Sequence, residues 1–314
     1  MLQNPPLTSS APEQNAAPAA PLEKLSRRSR LEMILFTLPA FIFQISWGWY
    51  PILVALLLSF TNVAYKKQLL LVGTENYQRI WPWNDPLVMK AFKTTFTYAG
   101  MSIVLTFIIP ILVAILLMEM PKRAIRVMML LWFLPLSGIA GTILWRYMYN
   151  VKYGLFQYIF HILGLPEQRF LNDAHMILFW LIFPGLLFFG PGLLYMAALQ
   201  SIPQSYYEAA EIEGASFARK IWTISLPRLR PVIAMMLTFA IIGTLQEFSW
   251  PQIMTGSEGQ PGGSARMVVM YIYQPLLSDA RRTGDATALA VLLFLVIMVI
   301  TIVYRTLFKE DPDV

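Results

Sequence analysis

The chain of 314 residues is 57% hydrophobic and 13% charged, with a formal net charge of +6. Soluble domains are about 45–50% apolar and about 25% charged, so this composition excludes an ordinary water-soluble globule and indicates a lipid environment. Cysteine is absent, which excludes disulfide scaffolds, thiolate metal sites and cysteine nucleophiles.

The N-terminal segment, residues 1–30, is predicted to be disordered and cytoplasmic. Proline, alanine, glutamine and serine dominate residues 1–23, where apolar residues are too sparse to form a core. A basic cluster at Lys24, Arg27, Arg28 and Arg30 precedes an apolar stretch that is far too long for the core of a signal peptide. We therefore interpret that stretch as a retained first membrane span.

Six apolar stretches between residues 31 and 308 are long enough to cross a bilayer as helices. A hydrocarbon core about 30 Å thick needs roughly 20 apolar residues, and prolines are tolerated there when neighbouring groups satisfy the freed carbonyls. The sequence therefore predicts an all-α polytopic membrane domain with both termini on one side. The predicted spans are Met33–Phe60, Thr94–Met118, Val127–Tyr149, Met176–Leu199, Val232–Trp250 and Ala286–Phe308.

The distribution of lysine and arginine favours a cytoplasmic N-terminus. The cluster Arg27–Arg30 borders the first span, and the tight turn Pro121–Arg126 between the second and third spans is also basic. Basic residues beside the first span and in short loops carry the most weight in the positive-inside rule. The tail, residues 309–314, is then cytoplasmic as well, and the positive charge is suited to anionic lipid headgroups rather than to nucleic acid.

The segments on the other side contain aromatic residues such as Tyr153 and Tyr158. Amphipathic rings of this kind are typical of the headgroup belt, and the same residues are also compatible with a docking platform for a soluble partner. His161 and His175 flank one loop without the spacing of metal ligands, so no metal site is predicted. The segments in question are 61–92, 150–175 and 251–285.

The longest connection on the inner side joins the fourth and fifth spans. Its pattern predicts two short helices with a bend at Gly214, the first capped by Ser205 with Glu208 at capping-box spacing. Pro227 and Pro231 are predicted to stop the second helix before the fifth span. From these residues alone, an amphipathic helix lying on the inner leaflet is an equal alternative. The apolar residues of the second helix are Phe217, Ile221, Trp222 and Ile224.

The order of residues in this loop resembles the signature of a known family. The run Glu208-Ala209-Ala210, then Gly214, then Ile224-Ser225-Leu226-Pro227 is similar to the EAA motif of binding-protein-dependent ABC importer permeases. Glu213 stands before the glycine where the family usually has aspartate. The resemblance implies the ABC type I importer permease fold, with cytoplasmic EAA coupling helices in the loop 200–231.

Other motifs resemble the carbohydrate branch of that family, which includes maltose, glycerol-phosphate and oligosaccharide permeases. The resemblance implies a sugar or sugar-like solute, and another organic solute such as glycerol phosphate is the alternative. The motifs are Tyr50-Pro51, Leu58-Ser59-Phe60-Thr61, Val72–Tyr77, Phe133-Leu134-Pro135, Trp145–Asn150, Leu199–Pro203 and Ile242–Phe248.

The resemblance also implies that ATP is hydrolysed outside this chain. No phosphate-binding G-x-x-x-x-G-K-S/T loop occurs in the sequence, so we expect no catalytic residue and no cofactor here, with ATP and Mg²⁺ bound by two separate ATPase subunits. The other implied partners are a second homologous permease, an extracytoplasmic solute-binding protein and membrane lipid. By resemblance, the residues that couple to the ATPase are Glu208, Ala209, Ala210, Gly214, Leu226 and Pro227.

Polar groups within the spans are costly in lipid and often functional, so they are candidates for the substrate path. Sugar recognition also needs an aromatic face. Alternatives remain: Glu247 could lie in the outer interface, Gln246 could form a helix–helix hydrogen bond, and Arg146 is interpreted as an interfacial residue that extends its charge to the headgroups. The candidate substrate-path residues are Gln44, Trp180, Tyr195, Gln246, Glu247 and Phe248.

Two other functional classes fit the sequence less well. A secondary transporter would carry an intramembrane ion relay or two related halves. An intramembrane enzyme would need a nucleophile and a base, or metal ligands, that converge on one point. The sequence shows neither pattern clearly, and neither class explains the EAA-like loop.

Overall fold

The computed structural model describes residues 27–62, 70–118, 120–132, 139–187, 192–278 and 282–307. Residues 1–26 of the predicted disordered segment, the motif Phe133-Leu134-Pro135 and the predicted tail 309–314 lie outside the described residues. The chain divides into two compact units, residues 1–53 and 54–314.

Helices form nearly all of the regular structure in the described residues, which confirms the all-α prediction. Strands are limited there to one antiparallel pair, Thr61–Asn62 (β1) and Leu70–Leu71 (β2). The α-helices, numbered in chain order, are α1 Arg27–Phe43, α2 Tyr50–Leu58, α3 Glu75–Ile80, α4 Pro86–Met118, α5 Lys122–Trp132, α6 Ile139–Met148, α7 Leu155–Ile162, α8 Ile177–Leu187, α9 Gly192–Gln200, α10 Gln204–Ile212, α11 Phe217–Lys220, α12 Leu226–Leu245, α13 Ser249–Thr255, α14 Val268–Ser278 and α15 Thr283–Leu307.

Five stretches of the described residues are helical, long and apolar enough to cross a membrane, and they match five of the predicted spans. The third predicted span, Val127–Tyr149, falls on α5 and α6, and residues 133–138 between these helices lie outside the described residues. The five stretches are Leu31–Leu58, Pro86–Met118, Ile177–Gln200, Phe217–Leu245 and Thr283–Leu307. Residues 188–191 of the third stretch lie outside the described residues.

The second span begins earlier than the sequence predicted. α4 starts at Pro86 rather than Thr94, because Oδ1 of Asp85 accepts a hydrogen bond from the Leu87 N–H at 2.9 Å and so caps the helix. Proline suits this first position, since its missing N–H would have no helical partner. α4 is therefore 33 residues long, and it packs against α8, α9, α12 and α14 as the central helix of the second unit.

Small residues allow the helices of this unit to approach closely. Between helices in lipid the hydrophobic effect gives little driving force, so close van der Waals packing must supply it. Ala91, Ala114 and Ala288 are buried in the helix contacts. A Cβ on Gly284 would lie 2.5 Å from the carbonyl oxygen of Thr61. The start of α15 is thus packed directly against the backbone of β1.

Polar contacts fix the end of the second unit where α4 and α15 begin. Arg79 on α3 forms a salt bridge with Asp285 at 2.9 Å, and the hydroxyl of Tyr271 on α14 donates to Asp85 at 3.0 Å. Burial raises the pKa of Tyr271 above its ordinary value, so this hydroxyl keeps its proton over a wider pH range. These contacts hold four helices together at the end that the sequence predicts to be outside.

Candidate functional site

A Schellman motif ends α10 and produces the predicted bend. The N–H of Ala215 donates to the carbonyl of Ala210 at 2.9 Å, and the N–H of Gly214 donates to that of Glu211 at 3.0 Å. This motif needs a left-handed residue, and Gly214 has a φ of +74°. A residue with a Cβ is less stable in that conformation by about 1–2 kcal/mol, so backbone geometry alone favours glycine here.

The helix cap in this loop lies at a different serine from the predicted one. α10 begins directly after Pro203 and has no side-chain cap, so the predicted capping box from Ser205 to Glu208 is wrong. The extended backbone of Pro203 starts the helix one residue before Ser205, which places that hydroxyl inside the first turn. Ser216 instead caps α11, because its hydroxyl accepts from the Arg219 N–H at 3.4 Å.

The two prolines do not end the second helix, contrary to prediction. α11 continues through a π-helical turn, Ile221–Ser225, directly into α12. In a regular helix the ring of Pro227 would clash with a carbonyl one turn earlier. The wider π-helical turn lies just before this proline. Within that turn the Thr223 hydroxyl donates to the Arg219 carbonyl at 2.7 Å. Pro231 lies within α12. The loop is therefore helically continuous with the fifth span.

Two side-chain contacts, termed the clasp, join α10 to the segment that leads into α12. The hydroxyls of Tyr207 and Ser225 lie 3.0 Å apart, and Lys220 donates to Glu211 at 2.8 Å. Ser225 is buried, and only 13% of the Lys220 side chain is exposed. α10 is therefore attached to the fifth span through side chains as well as through the backbone turn.

An open cleft of about 530 Å³ lies beside α10. Ile115 and Met118, at the end of α4, line it together with Leu199 of α9. Tyr207 and Lys220 of the clasp line it too. Part of the space between α10 and the ends of α4 and α9 is thus open, and the clasp borders that opening.

The outward surface of this loop is exposed and partly apolar. Ile212 is 89% exposed and Trp222 is 70% exposed. Glu208 is also exposed, and within the part of the chain that the structure describes it forms no ion pair. Exposed apolar side chains beside a free charge are typical of surfaces that contact another protein.

The six residues assigned to coupling lie at two places in the loop. Leu226 and Pro227 begin α12 and are half-buried. Sequence reasoning missed the clasp, because its partners are nine and eighteen residues apart and no local pattern marks them. The four remaining residues, on α10 and its Schellman turn, are Glu208, Ala209, Ala210 and Gly214.

The fifth span ends earlier than predicted, at Leu245 rather than Trp250. The helix ends there, and after a short non-helical break the next helix, α13, begins. Oε1 of Glu247 accepts from the N–H of Phe248 at 3.1 Å and of Trp250 at 3.4 Å. The carboxylate thus satisfies two donors that a helix start leaves free. Gln246 is exposed at the same break.

The other substrate-path candidates lie in different places. Trp180 belongs to an aromatic cluster in which its ring lies 4.9 Å from that of Phe170, and Phe248 packs against this cluster. Tyr195 is fully buried in a separate cluster near the start of α12. Gln44 lies in a π-helical turn of the first unit. The structure therefore groups Trp180 with the break after α12 and places Tyr195 elsewhere.

Arg146, the predicted interfacial residue, has a structural contact. Its guanidinium donates to the carbonyl of Ile253 at 3.1 Å and so joins α6 to α13. The side chain is otherwise exposed. Across the described ranges, no group of three or more histidine, aspartate or glutamate side chains is placed to hold a metal ion.

Residues 88–309 match the sequence model of the family described as binding-protein-dependent transport system inner membrane component. The chain is 30% identical over 294 residues to the sulfoquinovosyl glycerol transport system permease protein SmoG of Agrobacterium fabrum, covering 89% of this chain and 91% of that protein. It is 32% identical over 248 residues to the trehalose/maltose transport system permease protein MalF of Thermococcus litoralis, covering 76% and 81%. A chain of a bacterial alginate ABC transporter, solved with a periplasmic protein bound to alginate pentasaccharide, has the same fold, with a TM-score of 0.78, 22% identity and coverage of 90% and 95%.

Proposed function

Because this chain belongs to the family of binding-protein-dependent transport system inner membrane components, we propose that it is the permease through which an ATP-driven ABC importer takes up a sugar or sugar-like solute. It is a membrane transport component and not an enzyme. The solute class is supported by the relatives, which are named for arabinooligosaccharides, sulfoquinovosyl glycerol and trehalose/maltose.

The observation that carries the coupling role is the exposed, bent loop between the fourth and fifth spans. In our proposal α10 enters a groove of a separate ATPase subunit, which binds ATP and Mg²⁺. Ile212 and Trp222 supply apolar contact, and Glu208 pairs with a basic residue of the ATPase. Loss of one partner of such a pair costs about 2–5 kcal/mol, because the other charge is left unpaired.

The clasp gives this contact a route to the membrane helices. When the ATPase moves α10, the Tyr207–Ser225 and Glu211–Lys220 contacts pull on the segment that continues into α12. Since α12 packs against α4, α9 and α15, the movement reaches the middle of the second unit. ATP hydrolysis outside this chain is thereby converted into movement of helices within it.

The same role implies which side of the membrane the loop faces and which subunits the chain assembles with. An ATPase faces the cytoplasm, so the loop 200–231 and both termini lie on the cytoplasmic side of a prokaryotic cell membrane. The complete importer contains a second homologous permease, two ATPase subunits and an extracytoplasmic solute-binding protein. Within this chain Gln246 is the best-placed candidate for solute contact, because it is exposed at the break after α12.

The proposal is tested by purifying the chain after co-expression with its cognate ATPase, second permease and binding protein. The ATPase is expected to co-purify, and Glu208→Ala and Gly214→Val are expected to abolish uptake while membrane insertion persists. Glu258→Ala, an exposed acid beyond the other end of α12, is the matched control and should leave uptake unchanged. Normal solute-stimulated ATPase activity in a Gly214→Val complex would contradict the coupling role, and screening sugars against glycerol phosphates identifies the solute class.

A further inference from the structure

The short helix α7, which follows the third span, is attached to the protein by one face only. Phe156 and Phe160, one turn apart, point into the aromatic cluster of the second unit. The Phe156 ring lies 5.3 Å from that of Tyr149, and the Phe160 ring lies 5.7 Å from that of Phe170. This inward face fixes the orientation of α7, and it therefore determines which side chains the opposite face exposes.

The opposite face of α7 is apolar and uncovered. Tyr158 is 65% exposed and Ile162 is 63% exposed, and Leu155 is exposed on the same face. Leu163 and Leu165, directly after the helix, are exposed as well. Exposed apolar patches of this kind mark contact with a membrane or with another protein.

This apolar face is continuous with that of α6. Tyr147 of α6 and Tyr158 of α7 line one groove of about 530 Å³. One turn before Tyr147, Ile143 and Leu144 are exposed too. Because α6 belongs to the predicted third span, the exposed face of α7 continues a surface that is predicted to contact lipid.

The mouth of the groove, formed by Tyr147 and Tyr153, follows a tight turn of the backbone. Oδ1 of Asn150 accepts from the N–H of Lys152 at 2.9 Å and from that of Tyr153 at 3.3 Å. The turn is so tight that a Cβ on Gly154 would lie 2.3 Å from the Asn150 carbonyl oxygen. Tyr153 is held beside Tyr147, with ring centroids 5.4 Å apart. The backbone turn that carries Tyr153 is therefore fixed by contacts within the chain.

The charges around the groove are mixed. Lys152, His161 and Glu167 all line it. One cation and one anion match a headgroup that carries both a phosphate and an ammonium group better than one with a single negative charge. Tyrosine hydroxyls at the mouth add donors at the level where headgroups lie.

We propose that α7 lies in the membrane interface and that its groove holds a zwitterionic phospholipid, with phosphate at Lys152 and ammonium at Glu167. The acyl chains lie against Leu155 and Ile162 and along the exposed face of α6. The aromatic residues of segment 150–175 then contact lipid and do not form a docking platform for a soluble protein. This inference needs only that the chain is a membrane protein, so it does not depend on the solute or the ATPase.

Because the chain has no cysteine, single spin labels report its surroundings directly. Tyr158→Cys and Ile162→Cys are labelled in the assembled importer, without binding protein, in vesicles of phosphatidylethanolamine and phosphatidylglycerol. Both labels are expected to collide more often with oxygen than with a water-soluble nickel chelate, and Ser257→Cys, in an exposed polar loop, is expected to show the reverse. Nickel accessibility equal to that at Ser257→Cys would overturn the proposal. Low accessibility to both reagents would overturn it too, since a protein subunit would then cover the face.

The headgroup is tested by native mass spectrometry of the same complex. Bound phosphatidylethanolamine is expected to exceed bound phosphatidylglycerol, and the double variant Lys152→Gln, Tyr158→Ser is expected to lower its retention by fivefold or more. Arg169→Gln removes an exposed cation of the same segment that does not line the groove, and it should leave retention unchanged. Preference for phosphatidylglycerol, or equal loss in both variants, would contradict the zwitterionic site.

Discussion

Two glycine turns with the same left-handed backbone differ in what surrounds them. Gly214 lies in the loop 200–231, which we propose contacts an ATPase and which is termed the coupling loop. It has a φ of +74°, and a Cβ there would meet nothing within 4 Å. Gly259, between α13 and α14, has a φ of +62°, and a Cβ there would lie 2.2 Å from the backbone nitrogen of Arg266. The chain itself fills the space around Gly259, whereas it leaves the space around Gly214 open.

The same contrast extends to the loops that contain these glycines. The loop of Gly259 is closed by hydrogen bonds within the chain: Lys90 donates to the Gly262 carbonyl at 2.6 Å, and the Val268 N–H donates to the Thr95 hydroxyl at 3.0 Å. The coupling loop is held by the clasp on one side and is open on the other. A loop whose surroundings are filled by contacts within its own chain has a structural role. A loop that is held on one side and leaves space on the other is suited to binding a partner.

Gly259→Ala is expected to have the largest effect on stability. The left-handed backbone costs about 1–2 kcal/mol for alanine, and the overlap with Arg266 adds about 1–3 kcal/mol. Thermal unfolding of the purified complex measures the loss. Gly262→Ala is the control, since its φ is +59° and a Cβ there meets nothing within 4 Å. This variant should lose only the cost of the left-handed backbone, about 1–2 kcal/mol. Equal losses would remove the distinction between the two kinds of loop.

Gly214→Ala is expected to affect transport more than folding. Its unfolding free energy should fall by about 1–2 kcal/mol, as for any residue with a Cβ in this backbone. Solute uptake should nevertheless fall tenfold or more, because the added group meets the ATPase. Asparagine tolerates the left-handed backbone, so Gly214→Asn adds side-chain volume with little backbone strain. This variant should also fail to transport. Full uptake with Gly214→Asn would mean that the backbone alone matters.

Glu247→Ala is expected to destabilise the break after α12. The two N–H groups at the start of α13 lose their acceptor, which costs about 0.5–2 kcal/mol, as for other helix caps. Glu247→Gln keeps an oxygen acceptor and should retain most of the stability. Thermal unfolding compares the two variants. An altered apparent affinity for the solute in Glu247→Gln, at unchanged stability, would instead assign this side chain to the substrate path.

Tyr207→Phe is expected to have the smallest effect. It removes one hydrogen bond of the clasp, worth about 0.5–1.5 kcal/mol, and should lower the amount of solute moved per ATP by about two- to tenfold. Tyr206→Phe is the matched control, because the ring of that exposed tyrosine contacts Arg228 and its hydroxyl forms no hydrogen bond among the described residues. An unchanged transport ratio in Tyr207→Phe would show that the clasp does not transmit movement.

The sequence predicted the bend at Gly214 because the Schellman turn depends on local backbone geometry. It failed at Pro227, because the residue pattern does not reveal the π-helical turn Ile221–Ser225 that lies just before this proline and lets the helix continue. It placed the end of the fifth span at Trp250, since hydropathy does not register that Glu247 caps a new helix. The clasp escaped prediction for a similar reason, because Tyr207 meets Ser225 only after the loop has folded back.

The central claim, that the open side of the coupling loop receives the ATPase, is tested most directly by labelling Ile212→Cys. Ile212 is 89% exposed in the chain alone, and the chain has no cysteine of its own. A water-soluble maleimide should react at least tenfold more slowly with Ile212→Cys in the complex than in the chain without ATPase, while the rate at Ser257→Cys stays the same. Equal rates at Ile212→Cys with and without the ATPase would contradict the proposed contact.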